Sequence, residues 1–110
     1  MTTVIIKTDK NNAYKGFLCM GHAQFAKHGK PDILCAAISA LTLGTINAME
    51  ELVGEEMEVI SNPEDGFLKC DFKFIAQEKS VLLLNSMILS LQNLSKEYGE
   101  KYLQVKFEEV

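Results

Sequence analysis

The alternation of hydrophobic periods along the chain is the feature that most constrains its fold. Apolar residues recur with the two-residue period of an extended chain in five short stretches and with helical spacing in two longer ones. Strands are predicted at residues 2–7, from 14, from 57, at 67–75 and from 101, and helices at 33–53 and 78–98. The order ββαββαβ predicts a small α+β fold in which two helices cover a mostly antiparallel sheet. We expect one domain spanning residues 1–110.

The first predicted helix follows a clear start signal and has faces of different character. Pro31 disfavours helical geometry in Lys30, and Asp32 can cap the backbone N–H groups that follow. Helical spacing predicts a buried face made of Leu34, Ile38, Leu41, Thr45, Met49 and Leu52. The small residues that would permit close approach to a sheet are Ala36, Ala37, Ala40 and Gly44. A separate small or polar stripe contains Asp32, Cys35, Ser39 and Thr42.

The strands and the second helix supply the rest of the predicted core. The second strand is apolar on both faces, which predicts a central position in the sheet, with Cys19 directed into the core. Alternation in the fourth strand predicts inward side chains at Leu68, Cys70, Phe72 and Phe74. The second helix is expected to bury a wide face of Leu83, Leu84, Met87, Ile88, Leu91 and Leu94.

Charge and cysteine content restrict the classes of function. A net charge of −4 and a pI near 5.1 disfavour direct nucleic-acid binding and favour basic partners. No uninterrupted apolar run approaches the ~20 residues of a membrane span, and no signal peptide precedes the first strand. We therefore expect a cytoplasmic protein without membrane contact. Three cysteines with no CxxC motif, two histidines and no phosphate-binding loop predict neither a metal nor a cofactor.

One histidine and one cysteine form the candidate catalytic pair. His22 lies at the end of the second predicted strand, and Cys35 lies in the first turn of the first predicted helix. Unpaired N–H groups at a helix N-terminus stabilise a thiolate, although the negative charge of Asp32 opposes this effect. Residues 24–31 mix polar, Gly and Pro signals, which predicts a mobile loop between the pair. A Cys/His pair of this kind is typical of covalent catalysis.

Each member of the pair also has a structural explanation. A cysteine in an Ala-rich helix is usually a small buried hydrophobe, and a lone strand histidine is usually structural. Gly21 and Ala23 flank His22 and leave room for a substrate backbone, which favours catalysis. His28, within the polar loop, is expected to be solvated, and the two cysteines outside the pair are expected to be core residues.

Two linked motifs make the pair more specific. The sequence G-H-A at residues 21–23, followed by G-x-x-D-x-x-C-A-A-x-S-A-L at residues 29–41, resembles the ribosomal-processing cysteine protease family, Prp. The resemblance covers the whole chain, including the order of segments and the second helix. It implies a small α/β fold that forms a homodimer.

By this resemblance, the chain is a single cysteine protease domain with Cys35 as nucleophile and His22 as general base. The implied activity is removal of the N-terminal extension of a large-subunit ribosomal protein, L-twenty-seven, after bulky apolar residues that include phenylalanine. Asp32 and Ser39 match family positions, and we expect Asp32 to cap the helix or orient the histidine and Ser39 to line the pocket. The N–H groups of Cys35 and Ala36 are expected to bind the oxyanion.

Two other classes of function remain open from the sequence. In a non-enzymatic ribosome-associated or assembly-binding protein, Cys35 would be a packed thiol and the acidic surface would dock a basic partner. A redox thiol protein is less favoured because no second cysteine lies near Cys35 in the sequence. Thiol labelling distinguishes a reactive cysteine from a packed one.

Overall fold

A computed structural model describes residues 1–27 and 32–110, and within these residues it contains five strands and two helices in the predicted order. The elements are β1 (Thr2–Thr8), β2 (Tyr14–Met20), α1 (Ile33–Ala48), β3 (Met57–Asn62), β4 (Phe67–Phe72), α2 (Glu78–Tyr98) and β5 (Leu103–Glu109). One π-helical turn, Met49–Val53, continues α1, and a short 3-10 turn, Pro63–Asp65, joins β3 to β4. The predicted α+β class and element order are confirmed.

The strands of the described residues form one sheet with the order β3-β4-β2-β1-β5. The pairs β1–β2, β2–β4 and β3–β4 are antiparallel, and only β5 runs parallel to its neighbour, β1. A parallel pair needs a long crossover, which α2 supplies before the chain reaches β5. The central position predicted for β2 is confirmed. His22 follows the C-terminal end of this middle strand and therefore lies near the centre of one end of the sheet.

The core lies between one face of the sheet and the two helices. Alternate strand residues are buried against the helices, among them Val4, Ile6, Phe17, Leu68 and Cys70. The helices contribute Leu34, Ile38, Ile46 and Met49 from the first helical segment and Leu84, Met87, Ile88 and Leu91 from α2. Burying an apolar side chain of this size stabilises the fold by about 1.5–3 kcal/mol. This shared core holds both helices against the same face of the sheet.

Two residues predicted to be buried are exposed, each because its element ends or changes early. Leu52 is 79% exposed because the wider π-helical turn begins at Met49 and rotates the residues that follow away from the sheet. Phe74 is 68% exposed because β4 ends at Phe72, two residues before it, and the alternation of faces ends there too.

The buried side of α1 is also rotated from the predicted one. Thr42 and Ile46 are buried, and the Thr42 hydroxyl donates to the carbonyl of Ile38 at 2.9 Å. Ala36, Ala40 and Gly44 lie on the exposed side, and a Cβ at Gly44 would meet no atom within 4 Å. The prediction that these small residues allow close approach to the sheet is wrong.

The helical stretch Ile33–Val53, 21 residues long, is long and apolar enough to cross a membrane by length and composition alone. The core helix of a soluble protein meets the same criteria, so this property is weak evidence for a membrane span. The expected absence of membrane contact stays a prediction.

Candidate active site

Asp32 joins the start of α1 to the chain that follows β2. Its Oδ1 accepts hydrogen bonds from the N–H groups of Leu34 and Cys35, both at 3.0 Å, so the predicted cap is confirmed. Its Oδ2 accepts from the N–H groups of Phe25 at 2.8 Å and Ala26 at 3.2 Å. Partial burial raises the pKa of the Asp32 carboxyl, but the four N–H donors outweigh this and hold the pKa below its usual value. The carboxylate is therefore a charged link between two parts of the site.

Phe25 gives the same stretch of chain a second anchor. Its ring makes edge-to-face contacts with Tyr98 and Tyr102, with centroid separations of 5.0 and 5.2 Å. The described part of the predicted loop, residues 24–27, is thus attached to both helices. Residues 28–31, which include His28, lie outside the described residues, and loop mobility stays a prediction.

Cys35 lies in the first turn of α1, half-buried and close to the strand end. Its Sγ accepts a hydrogen bond from the N–H group of the buried Ala23 at 3.2 Å. An N–H group directed at sulfur stabilises negative charge there. The oxyanion donors predicted from the sequence are occupied here, because the Cys35 N–H donates to Asp32 Oδ1 and the Ala36 N–H donates to the Asp32 carbonyl at 3.0 Å. That prediction is wrong for this conformation.

His22 follows β2 across a glycine that no other residue could replace without movement. Gly21 has φ +87°, and a Cβ there would lie 2.4 Å from the carbonyl oxygen of Met1. The His22 side chain is exposed, and its Nε2 lies 3.1 Å from the carbonyl oxygen of Glu64. Both His22 and Cys35 lie within the described residues, and in this conformation they are not hydrogen-bonded to each other.

A cavity of about 140 Å³ brings the predicted catalytic pair together. His22, Cys35, Gly21 and Ser39 all line it, and Thr42 continues the stripe that helical spacing predicted. Its apolar lining residues are Ile38, Leu43, Pro63, Phe67 and Leu68. The predicted site residues Ala23 and Asp32 act behind this lining through their hydrogen bonds, whereas Ala36 lies on the exposed side of α1.

Sequence reasoning missed the wall of the cavity that β3, β4 and the turn between them provide. Ser61, Pro63 and Gly66 line the cavity opposite α1, more than 35 residues along the chain from His22. Their turn signals were visible in the sequence, but no local pattern relates them to the catalytic pair. Only the sheet order, which sets β4 beside β2, brings them there.

The other two cysteines differ from Cys35 in their environment. Cys19 lines the same cavity but is 8% exposed, and burial, aided by the nearby Cys35, raises its pKa to about 11. Burial raises the pKa of Cys70 to about 12. Both thiols are therefore protonated near neutral pH, as suits core residues. All three cysteines are free.

Comparison with known proteins agrees with the resemblance seen in the sequence. Residues 1–104 match the family model described as Cysteine protease Prp. The ribosomal processing cysteine protease Prp of Bacillus subtilis is 30% identical over 104 residues, which cover 91% of this chain and 92% of that protein. The corresponding protease of Staphylococcus aureus is 29% identical over 100 residues, covering 91% and 93%.

The fold is shared with crystal structures of an essential ribosomal processing protease Prp from S. aureus. The structure with a covalently linked product peptide matches with a TM-score of 0.88 and 26% identity, over 98% of this chain and all of that one. The structure with a substrate peptide matches with a TM-score of 0.85 and 25% identity over the same shares.

Proposed function

The chain belongs to the cysteine protease Prp family, and we propose that it is an endopeptidase in which Cys35 is the nucleophile and His22 the general base. The observation that carries this proposal is the shared cavity. It exposes the half-buried thiol at a helix N-terminus and the histidine to the same space, while Ala23 directs an N–H group at the sulfur. No specific observation favours the binding-protein alternative.

In the proposed reaction, His22 accepts the thiol proton of Cys35, and the thiolate attacks the peptide carbonyl. The protonated His22 then donates to the leaving amine, and water cleaves the thioester with His22 acting again as base. The N–H group of Ala23 lies beside the sulfur, where the oxygen of the tetrahedral intermediate would form. We therefore assign Ala23 as an oxyanion donor in place of Ala36. Its hydrogen bond to Sγ can pass to the oxygen once the sulfur transfers its negative charge to the carbonyl, whereas the N–H group of Ala36 is held in the first turn of α1.

The remaining site residues have supporting roles in this scheme. Gly21 allows the tight backbone that turns His22 into the cavity. Asp32 positions Cys35 by capping α1 and tethers the chain beyond His22 through its second oxygen. Ser39, one turn beyond Cys35, lines the cavity and is available to hydrogen-bond substrate.

The proposed substrate is the precursor of large-subunit ribosomal protein L-twenty-seven, trimmed at its N-terminal extension. The family relatives are named ribosomal processing proteases, and a structure of one holds a substrate peptide. The apolar lining from Ile38, Leu43 and Phe67 suits bulky apolar side chains before the scissile bond. A net charge of −4 favours the approach of a basic ribosomal protein.

Mass spectrometry of the precursor after incubation with reduced, folded enzyme tests the substrate proposal. We expect one cleavage within the extension and loss of cleavage when the apolar residues before the bond are replaced by Ala. The matched control replaces polar residues further upstream and should be cleaved normally. An intact precursor that nevertheless binds would favour the binding-protein alternative.

We also propose a homodimer that pairs through the helix layer. No Asp, Glu, Lys or Arg occurs in residues 33–49 or 81–95, although each helix has a solvent-facing side. Leu82 and Leu89 of α2 are 70% and 60% exposed, and Leu43 of α1 is 45% exposed. Depletion of charged residues marks the cores of protein interfaces, and two acidic chains repel least where they carry no charge.

Light scattering at micromolar concentration tests the dimer. We expect the mass of two chains, and dissociation when Leu82→Lys and Leu89→Lys are combined. Ile60→Lys, on the opposite face of the sheet and 47% exposed, is the matched control and should remain dimeric. If Ile60→Lys alone dissociated the dimer, the interface would lie on the open face of the sheet and not on the helix layer.

We propose a cytoplasmic location, as expected from the sequence. Three free thiols, one of them the proposed nucleophile, suit a reducing compartment.

A further inference from the structure

Building on the proposed role of His22 as general base, we propose that the turn between β3 and β4 is the positioning element of the active site. The backbone carbonyl of Glu64 holds the His22 ring so that Nδ1, and not Nε2, receives the proton of Cys35. Neither of the two sequence motifs contains this group, which acts on the reaction only through His22.

The chemistry of the contact determines which ring nitrogen carries the hydrogen. His22 Nε2 lies 3.1 Å from the carbonyl oxygen of Glu64. A carbonyl oxygen can only accept a hydrogen bond, so Nε2 is the donor and bears the hydrogen. In the neutral imidazole the lone pair is then on Nδ1, because the partner of one ring nitrogen fixes the tautomer. A general base accepts a proton only at its lone pair, so Nδ1 is the basic atom.

Gly66 allows the turn backbone to lie against the ring. It has φ +62°, and a Cβ there would lie 3.1 Å from Cε1 of His22 and 2.6 Å from the carbonyl oxygen of Gly21. Any side chain at this position would push the turn away from the histidine. The absence of a Cβ at residue 66 therefore permits the contact between His22 and Glu64.

Internal hydrogen bonds fix the turn that carries the carbonyl. The N–H group of Gly66 donates to the carbonyl of Pro63 at 3.1 Å. The side-chain amide of Asn62 donates to the Asp65 carboxylate at 2.8 Å across the turn. Pro63 restricts the backbone at the start of the 3-10 turn. Glu64 thus presents its carbonyl from a preorganised segment, independent of its own side chain.

The exposure of His22 explains why such a partner matters. Water reaches the ring, so a histidine without a fixed partner would exchange tautomers and ring orientations. A preorganised acceptor holds one tautomer before substrate arrives, and a misplacement of about 1 Å in such a site can cost up to about 10²-fold in rate.

Nitrogen-15 NMR of the protein with labelled histidine tests the tautomer directly. The His28→Gln variant leaves His22 as the only histidine, since the chain has two. With the ring neutral, we expect a single tautomer with hydrogen on Nε2. Two results would overturn the inference. One is a ratio of the two neutral tautomers equal to that of a free histidine peptide measured alongside, and the other is a tautomer with hydrogen on Nδ1.

Gly66→Ala and Gly54→Ala form a matched pair of variants. Both glycines have positive φ, +62° and +76°, so both substitutions incur a similar backbone strain. A Cβ at Gly54 meets no atom within 4 Å, whereas one at Gly66 meets the active site. We expect Gly66→Ala to lower kcat by about 10- to 100-fold and to mix the tautomers of His22. Because Gly66 also lines the cavity, the tautomers and not KM decide the test. Gly54→Ala should leave both kcat and the tautomer of His22 unchanged.

A third variant keeps the test decisive if Gly66→Ala does not fold. Asp65→Ala removes the hydrogen bond from Asn62 without adding atoms beside His22, and it should shift the tautomers in the same direction by a smaller amount. Unchanged tautomers in every folded turn variant would overturn the inference. If the wild-type protein cleaves no peptide, the proposed function fails, while the NMR result still decides the role of Glu64.

Discussion

Replacing Asp32 should reveal two separate tasks of one carboxylate. Oδ1 caps α1 through Leu34 and Cys35, and Oδ2 binds the N–H groups of Phe25 and Ala26. Asp32→Ala removes all four hydrogen bonds. Loss of an N-cap costs about 1 kcal/mol, and each of the two loop bonds contributes about 0.5–1 kcal/mol at this partly exposed position. We therefore expect the free energy of unfolding to fall by roughly 2–3 kcal/mol.

Asp32→Asn is the matched variant, because asparagine caps a helix about as well as aspartate does. Its single amide oxygen can serve the helix start, but its NH₂ group then faces the two N–H donors of Phe25 and Ala26. We expect a loss of about 1–2 kcal/mol in stability, from the two loop bonds alone. Since both variants release the chain beside His22, kcat should fall in both.

Urea unfolding of the three proteins, together with cleavage kinetics, measures these effects. The expected order of stability is wild type, then Asp32→Asn, then Asp32→Ala. Wild-type stability in Asp32→Ala, within about 0.5 kcal/mol, would refute the assigned hydrogen bonds. Full stability but lost activity in Asp32→Asn would instead point to a direct role of the charge in the reaction.

Three further predictions follow from the environments of the site residues. Near neutral pH, iodoacetamide should modify Cys35 and spare Cys19 and Cys70, whose pKa values burial raises to about 11 and about 12; a peptide map with Cys19 modified first would contradict this. The folded pKa of Asp32 lies below its unfolded value of about 3.9. Its contribution to stability is thus present above that pH and is lost as the pH falls through the folded pKa. The difference in free energy of unfolding between the wild type and Asp32→Ala, measured with urea, should therefore become smaller below about pH 4. A difference that does not change with pH would argue against a lowered pKa of Asp32. Hydrogen exchange at residues 24–27 should slow when a substrate peptide binds, and unchanged exchange would count against closure of the loop.

Much of the fold follows from signals that act over a few residues. Asp32 after a proline predicts a helix start wherever the helix later packs. The apolar residues of β2 predict a central strand, although the helices cover only the face that carries Phe17 and Cys19, and Met20 on the other face is exposed. That His22 and Cys35 line one cavity agrees with the prediction from the two linked motifs. The link of twelve residues does not by itself require this, because it can span roughly 40 Å when extended.

The errors arise where distant parts of the chain set the outcome. The π-helical turn that exposes Leu52 has no sequence signal in the period of the helix before it. The contact between His22 and Glu64 joins residues 42 positions apart and uses a backbone carbonyl, which every residue has. The oxyanion assignment to Ala36 failed because the carbonyl of Asp32 already accepts from its N–H group as α1 begins.

The most direct test of the central claim compares kcat/KM for the precursor among Cys35→Ala, His22→Ala and the double variant. A nucleophile and its base act as a unit, so their losses do not add. We expect each single variant to lose on the order of 10³-fold or more, and the double variant to lose no more than either. Cleavage by Cys35→Ala at the wild-type rate, or losses that multiply in the double variant, would contradict a Cys35/His22 dyad.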